Sequence, residues 1–363
     1  MDLPTIDQVK FLCDAGLGPI AFKMYGDEFR QSDPTLFSVL LSADLTTRVI
    51  YGQLEKAAVE LTGELQGAGV IPTLLKGIST SEEFYAPPYL RLMSDIDILI
   101  KHSEIDLVMA KVADLGYVIT DEQWRKYRKH GAHHLPEARH PKTGVSLEVH
   151  TSLFAPAEFY SEEYVFQPDI VAEQSVEFDY RGTRVARFTP EFQLIYTLSK
   201  WTVDESWAVK LTSINDTIHI LKKYQSEFDW PTLCRWFAAS PHLFPITAAL
   251  LHYLEQADIV TVSPQLREAL ASADSQLGSR TLKVLTWLLH TYPFNARVKA
   301  YGGFSRWCAL SLWLYLTNPN SRNLGIPSAR LYRFYMSALY GKNNPFRRVL
   351  PGSKALVYRI RNK

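Results

Sequence analysis

Along the first 68 residues apolar positions recur at helical spacing. The best segment is Leu45 to Leu65, where Leu54, Ala58, Leu61 and Leu65 form one stripe and Gly67 and Gly69 are available to end the helix. The pattern then shortens. Val70-Ile71-Pro72-Thr73-Leu74-Leu75-Lys76-Gly77 is an apolar run stopped by glycine and followed by a polar, helix-compatible segment from Ser79 to Tyr85, which predicts a strand, a tight turn and a helix start. Ser94-Asp95-Ile96-Asp97-Ile98-Leu99-Ile100 alternates before turning wholly apolar, as a strand does when one end of one face opens on a cleft. Ser103, with Asp106 three residues on, predicts a capped helix that Gly116 closes. Pro141-Lys142-Thr143-Gly144 is turn chemistry leading into a further alternating strand, Val145 to His150. From Thr189 the period returns to helical: Thr189 as N-cap and Pro190 at the first position open a helix through Trp201. A second follows from about Trp207 to Tyr224, with Leu211, Ile214, Ile218 and Leu221 on one stripe. Pro241, Pro245, Pro264 and Pro293 then mark the joints of further helices. The expected class is α+β, with a helical segment over 1–68, a small mixed-sheet α/β core over 69–188 and a helical domain over 189–363.

Composition narrows the picture. With 363 residues, 47% of them hydrophobic and 21% charged, the chain is an ordinary globular protein with enough material for two or three cores, which excludes disordered and fibrous classes. Cys13, Cys234 and Cys308 are an odd, widely spaced set that fits a reducing compartment better than a disulfide framework. The N-terminus has no export-signal pattern, and the longest apolar stretch, Trp307 to Thr317, is far too short to cross a bilayer, so a cytoplasmic location is expected. The net charge of +1 hides an asymmetry: Arg280 to Lys363 holds fifteen basic residues and no acid, which leaves 24 basic against 38 acidic residues before it. Such an end suits an anionic partner, RNA or a membrane surface to which the protein would be peripheral, or it docks on the chain's own acidic body; the sequence leaves both open.

Asp95 and Asp97 stand two apart on a strand, so their carboxylates leave one face about 7 Å apart, close enough to share one or two hard cations. Glu148 and His150 repeat the arrangement on another strand. Pairing the two strands would join three carboxylates and an imidazole, the make-up of a two-metal phosphoryl-transfer site. Gly77, between a strand and a helix start, offers backbone N–H groups of the kind that hold phosphates. By contrast His130, His133, His134 and His140 lack cysteine partners and any familiar zinc spacing, and are expected on an edge strand with satisfied imidazoles. His150 is expected at the rim of the carboxylate site, orienting a carboxylate or touching a phosphate.

Leu75-Lys76-Gly77, Tyr85, Arg91-Leu92-Met93-Ser94-Asp95-Ile96-Asp97-Ile98-Leu99-Ile100 and Leu147-Glu148-Val149-His150, in that order, resemble the bacterial "uncharacterised nucleotidyltransferase" family of the DNA polymerase beta-like nucleotidyltransferase superfamily. The resemblance spans roughly residues 40 to 260. It implies that 69–188 is a nucleotidyltransferase core. Asp95, Asp97 and Glu148 are then the catalytic, metal-binding carboxylates for Mg²⁺ or Mn²⁺, and a nucleoside triphosphate is the donor. Gly77, Ser79, Arg91 and His150 are implied around the nucleotide and its phosphates. Lys76 matches the family's Leu-Lys-Gly, although its place on the strand directs it toward the core side. Lys200 and the Asn215-Asp216 pair are similar to later motifs of toxin-like relatives, in which a lysine and a helical aspartate face the nucleotide. The implied reaction moves an NMP group from an NTP to an acceptor, a small molecule, RNA end, protein or peptide, with release of pyrophosphate. Two other classes share parts of the pattern: a glycosyltransferase-like enzyme holding a nucleotide-sugar through its D-x-D, and a non-catalytic nucleotide-binding relative.

Overall fold

The structure, a computed structural model, describes residues 3–130, 133–154, 159–203 and 212–240, with scattered positions between 247 and 268. The basic end from Arg280 to Lys363, the Trp307–Thr317 stretch and Cys308 lie outside the described residues. The chain divides into one compact unit made of Met1–Phe244 with Ala257–Arg267, and a second made of Pro245–Gln256 with Glu268–Lys363.

The elements of the first unit, in chain order, are helices α1 (Ile6–Asp14), α2 (Gly18–Ser32) and α3 (Pro34–Gly67), strand β1 (Thr73–Leu75), α4 (Lys76–Phe84), β2 (Asp95–Leu99), α5 (Ile105–Asp114), α6 (Asp121–His130), β3 (Ala138–Arg139), β4 (Ser146–His150), α7 (Pro168–Glu173), the hairpin β5 (Ser175–Tyr180) and β6 (Thr183–Phe188), and helices α8 (Pro190–Val203), α9 (Thr212–Tyr224) and α10 (Trp230–Ala239). The six strands form one mixed sheet in the order β3-β4-β2-β1-β6-β5. The pairs β2/β4 and β1/β6 are parallel; the other three are antiparallel. The protein is thus an α+β mixed-sheet fold.

Each boundary has a local cause. Asp33 starts α3 by accepting the N–H groups of Thr35 and Leu36, with Pro34 pre-set at the first helical position. Gly69, at φ +79°, turns the chain out of the helix as no β-branched residue could. Thr189 accepts the Phe192 N–H and opens α8 as expected. The α5 start differs from the expectation. Ser103 does not cap it; Glu104 reaches back to the Lys101 N–H across a short 3-10 turn, and the α-helix begins at Ile105. The β5–β6 hairpin is absent from the strands expected above. Its signal is the two-residue Arg181-Gly182 loop, both residues at positive φ, which matches the twist of an antiparallel pair.

One face of the sheet is the main core. Leu74 of β1, Ile96 and Ile98 of β2 and Leu147 and Val149 of β4 pack there against Leu54, Ala58, Leu61 and Leu65 of α3 and Val108 and Val112 of α5. Because strand side chains alternate, the intervening residues Asp95, Asp97, Glu148 and His150 go to the opposite face. A smaller cluster, Val9, Ala21, Phe29, Leu36 and Leu40, holds α1 and α2 on the N-terminal half of α3.

Candidate active site

Parallel pairing sets Asp97 opposite Glu148 and Leu99 opposite His150. The register therefore gathers the polar residues of two strands. The His150 ring nitrogen Nε2 lies 2.9 Å from Asp97 Oδ1 and 3.4 Å from Glu148 Oε2. Ligand atoms of Asp97, Glu148 and His150 all lie within 4.8 Å of one another, and among the described residues no other group of this kind occurs. Asp97 and His150 are buried, while Asp95 sits partly exposed at the strand's open end and accepts a 3.0 Å hydrogen bond from the Ser94 hydroxyl. His150 is placed beneath the carboxylates, fully enclosed, not at a rim.

The electrostatics are those of a site short of positive charge. Burial, then the neighbouring Asp97 and Glu148, push the Asp95 carboxyl above its ordinary value. Glu148 moves the other way: the hydrogen bond from His150 outweighs burial and, with Lys76, holds it well below the carboxylate range. Lys76 is where the expectation of a core-side side chain fails. Its Nζ lies 2.5 Å from Asp97 Oδ1 and 3.4 Å from Glu148 Oε2. Burial opposes that ammonium, yet Asp97 and Glu148 keep its pKa raised. The reason is backbone: Lys76 has φ +43°, a left-handed turn that takes it off the strand's alternation.

A cavity of about 770 Å³ opens on this face. Asp95, Asp97, Gly77, Arg91, Lys200 and Asp216 all line it, so residues from β2, α4, α8 and α9 meet on one space. Ser79 does not join them: it is buried, and Thr80 takes the lining position. Gly77 packs closely: a Cβ there would lie 3.0 Å from Met93 Sδ and 3.3 Å from Arg91 Nη1.

Asp216 faces the cavity but is not free. Arg91 grips it with two parallel bonds of 2.9 and 2.8 Å, and the Tyr85 hydroxyl donates a third at 2.6 Å. Asn215 donates to the same hydroxyl, and the His219 ring stacks on Tyr85. The helix is rotated from its expected stripe: Asp216, Thr217, Ile220 and Leu221 are its buried residues, whereas Ile214 and Ile218 are only half-buried, and Leu211 lies outside the described residues. A paired carboxylate can be buried where a lone one cannot, and Arg91 supplies the partner.

Beyond Lys200, sequence reasoning passed over the polar stripe on α8 to which it belongs. Gln193, Tyr196, Thr197 and Lys200 recur at helical spacing on an otherwise apolar helix, and all four line the cavity. His133 and His134 fall on an edge segment that pairs with β4, as expected, through the Leu135 N–H to Val149 and a bridge of His134 to His150, whereas His130 ends helix α6. Their satisfaction is incomplete: His133 Nδ1 is buried without a partner, and burial, then Lys200, drives that imidazole down to about 2. His140 accepts the N–H groups of Lys142 and Thr143, and the His130 side chain is outside the described set.

Comparison with known proteins agrees with the motif order. The model of a family described as "uncharacterised nucleotidyltransferase" matches residues 14–257. Among solved structures, the chain is similar to an antigenic nucleotidyltransferase-like protein from Paracoccidioides brasiliensis, at 18% identity and a TM-score of 0.34, over 61% of this chain and 93% of that one. No curated protein matches.

Proposed function

The chain belongs to the uncharacterised nucleotidyltransferase family, and from that membership we propose that it moves an NMP group from a nucleoside triphosphate to an acceptor oxygen, with Asp95, Asp97 and Glu148 as its metal-holding carboxylates. The observation that carries this reading is the meeting of Asp97, Glu148 and His150 within 4.8 Å, beside a cavity that Asp95, Arg91 and Lys200 line. The donor set fits a hard divalent ion, Mg²⁺ or Mn²⁺, because the three carboxylates offer oxygen ligands. The charge balance fits as well, since burial, then the negative charges of Asp97 and Glu148, hold Asp95 above its ordinary pKa, and a cation would offset those charges. When bound, such an ion supplies charge neutralisation and lowers the pKa of the attacking hydroxyl.

The chain's own residues do the rest. The Lys200 side chain and the backbone at Gly77 bind and orient the triphosphate, and Arg91, which grips Asp216 through Nε and Nη2, offers its remaining Nη1. His150, with no exposure, fixes the Asp97 and Glu148 carboxylates in place. The acceptor oxygen bonds to the α-phosphorus, the α–β phosphoanhydride bond breaks, and pyrophosphate leaves. In this reading 69–188 is the catalytic core and 1–68 the helical flank, and α8 and α9 complete the cavity.

The test is incubation of the full chain with each NTP, Mg²⁺ and a cell extract, followed by mass spectrometry for an added NMP on any species. An added hexose from a nucleotide-sugar would instead mark the glycosyltransferase class. Asp97→Asn keeps the shape and removes the charge; transfer is expected to fall by about 10- to 100-fold or more, the usual loss at a metal-holding shell. Activity within about threefold of the parent would end the metal role, since it lies well inside that range.

A further inference from the structure

The feature left over is the lysine. Leu75 pairs with Asp97 and Leu74 with Ile98, so a strand continued by one residue would turn position 76 to the face of Leu74 and the apolar core. The chain does not continue. The left-handed conformation at Lys76, uncommon for any residue but glycine, ends the strand and returns the side chain to the carboxylate face. There its ammonium meets Asp97 Oδ1 and Glu148 Oε2, the same two oxygens that His150 Nε2 approaches. One positive charge thus stands among the atoms of the metal-capable group.

We propose that Lys76 is the site's resident counter-cation, its ammonium holding the place between Asp97 and Glu148 that a divalent ion takes, so that the ion enters as the lysine swings out. The inference rests on the metal-site reading above. It explains why a lysine occupies a backbone conformation that disfavours it: two buried or half-buried carboxylates beside a third need a compensating charge while no ion is bound. It also gives the lysine a second position. Lys76 lines the same cavity as Arg91 and Lys200, so the displaced ammonium remains where the phosphates of a nucleotide would lie. The exchange is of charge only: no bond forms or breaks, and the amine keeps its proton.

An ordinary structural ion pair predicts the opposite response to its removal. Taking away a lysine that merely positions Asp97 would weaken metal binding, whereas taking away a competitor for the site strengthens it. Calorimetric titration of the full chain with Mn²⁺ alone, at low ionic strength, separates the two. Lys76→Asn suits the left-handed backbone and removes the charge; it is expected to bind Mn²⁺ about tenfold or more tightly than the parent, the smallest effect typical of a group acting on a metal shell. Lys76→Arg should stay close to the parent. Lys200→Met, which removes a charge from the cavity wall, should gain clearly less than Lys76→Asn; an equal gain would reduce the effect to net charge and overturn the proposal. Binding by Lys76→Asn no tighter than the parent's also overturns it and leaves the metal site standing, while absence of binding in both proteins removes the metal site too. If Lys76→Asn does not fold, amine acetylation of the parent decides. Lys76 should be protected without Mn²⁺ and labelled with it, and unchanged labelling in a parent that binds Mn²⁺ refutes the exchange.

Discussion

At the residue scale, the carboxylates of the cleft pull stability in opposite directions. Glu148, depressed chiefly by its hydrogen bond with His150, favours folding above its ordinary pKa of 4.5, and that contribution is lost as pH falls below 4.5 toward its folded value. Asp95 is raised by burial and by its neighbours, so its charged form opposes folding at neutral pH and the penalty eases as pH drops. Asp95→Asn is therefore expected to stabilise the metal-free protein by about 0.5–2 kcal/mol while abolishing transfer, the trade expected where function requires an unfavourable group. Urea denaturation in the presence of a chelator measures it; a lower midpoint would mean that Asp95 is not held against its own charge. The site was partly legible at this scale. Asp95, Asp97 and Glu148 follow from strand alternation, but the direction of Lys76 depends on one backbone angle, and the Arg91–Asp216 clasp joins residues 125 apart.

At the element scale, α3 braces the sheet that carries the carboxylates. Its stripe of Leu54, Ala58, Leu61 and Leu65 was readable because a helix buried along one side repeats every three to four residues. Leu61 is fully buried there, so Leu61→Ala should cost about 2–5 kcal/mol through lost burial and the cavity left behind. Guanidinium unfolding gives the value, and a cost under about 1 kcal/mol would mean that the helix repacks to close the gap. On α9 the same reasoning was misled. Periodicity favoured the apolar Ile214 and Ile218, yet the helix buries Asp216, because an arginine on a distant loop neutralises it. Apolar patterning registers solvent avoidance and has no means of registering a partner supplied from elsewhere in the chain.

At the scale of the whole molecule, the charge division stands out: fifteen basic residues and no acid from Arg280 onward, against an acidic body before it. No helix among the described residues is long and apolar enough to cross a membrane. If the basic end recruits an anionic acceptor or surface, association of the full chain with tRNA or with anionic vesicles should weaken steeply with salt, with a log–log slope of about −0.7 to −0.9 per phosphate neutralised on a nucleic acid. Absence of association with both at low salt would leave the end docked on the chain's own carboxylates. The family match stops at residue 257, before this end begins, so the basic end lies outside the matched stretch and the acidic body largely within it.

What this sequence determined alone is local: strands that alternate acid and isoleucine, helices with an apolar stripe, caps such as Asp33 and Thr189, and the order of motifs that marks the family. These need only neighbours within a turn or two of chain. The tertiary structure decided the rest, above all that β4 lies beside β2 in the register that sets Asp97 opposite Glu148, with β1 on the other side delivering Lys76. A shift of one residue would have turned Glu148 into the apolar core, and no local pattern specifies which strands adjoin. That choice belongs to the packing of the whole sheet against α3 and α5, where burying Ile96, Ile98, Leu147 and Val149 together leaves the carboxylates no face but the cleft.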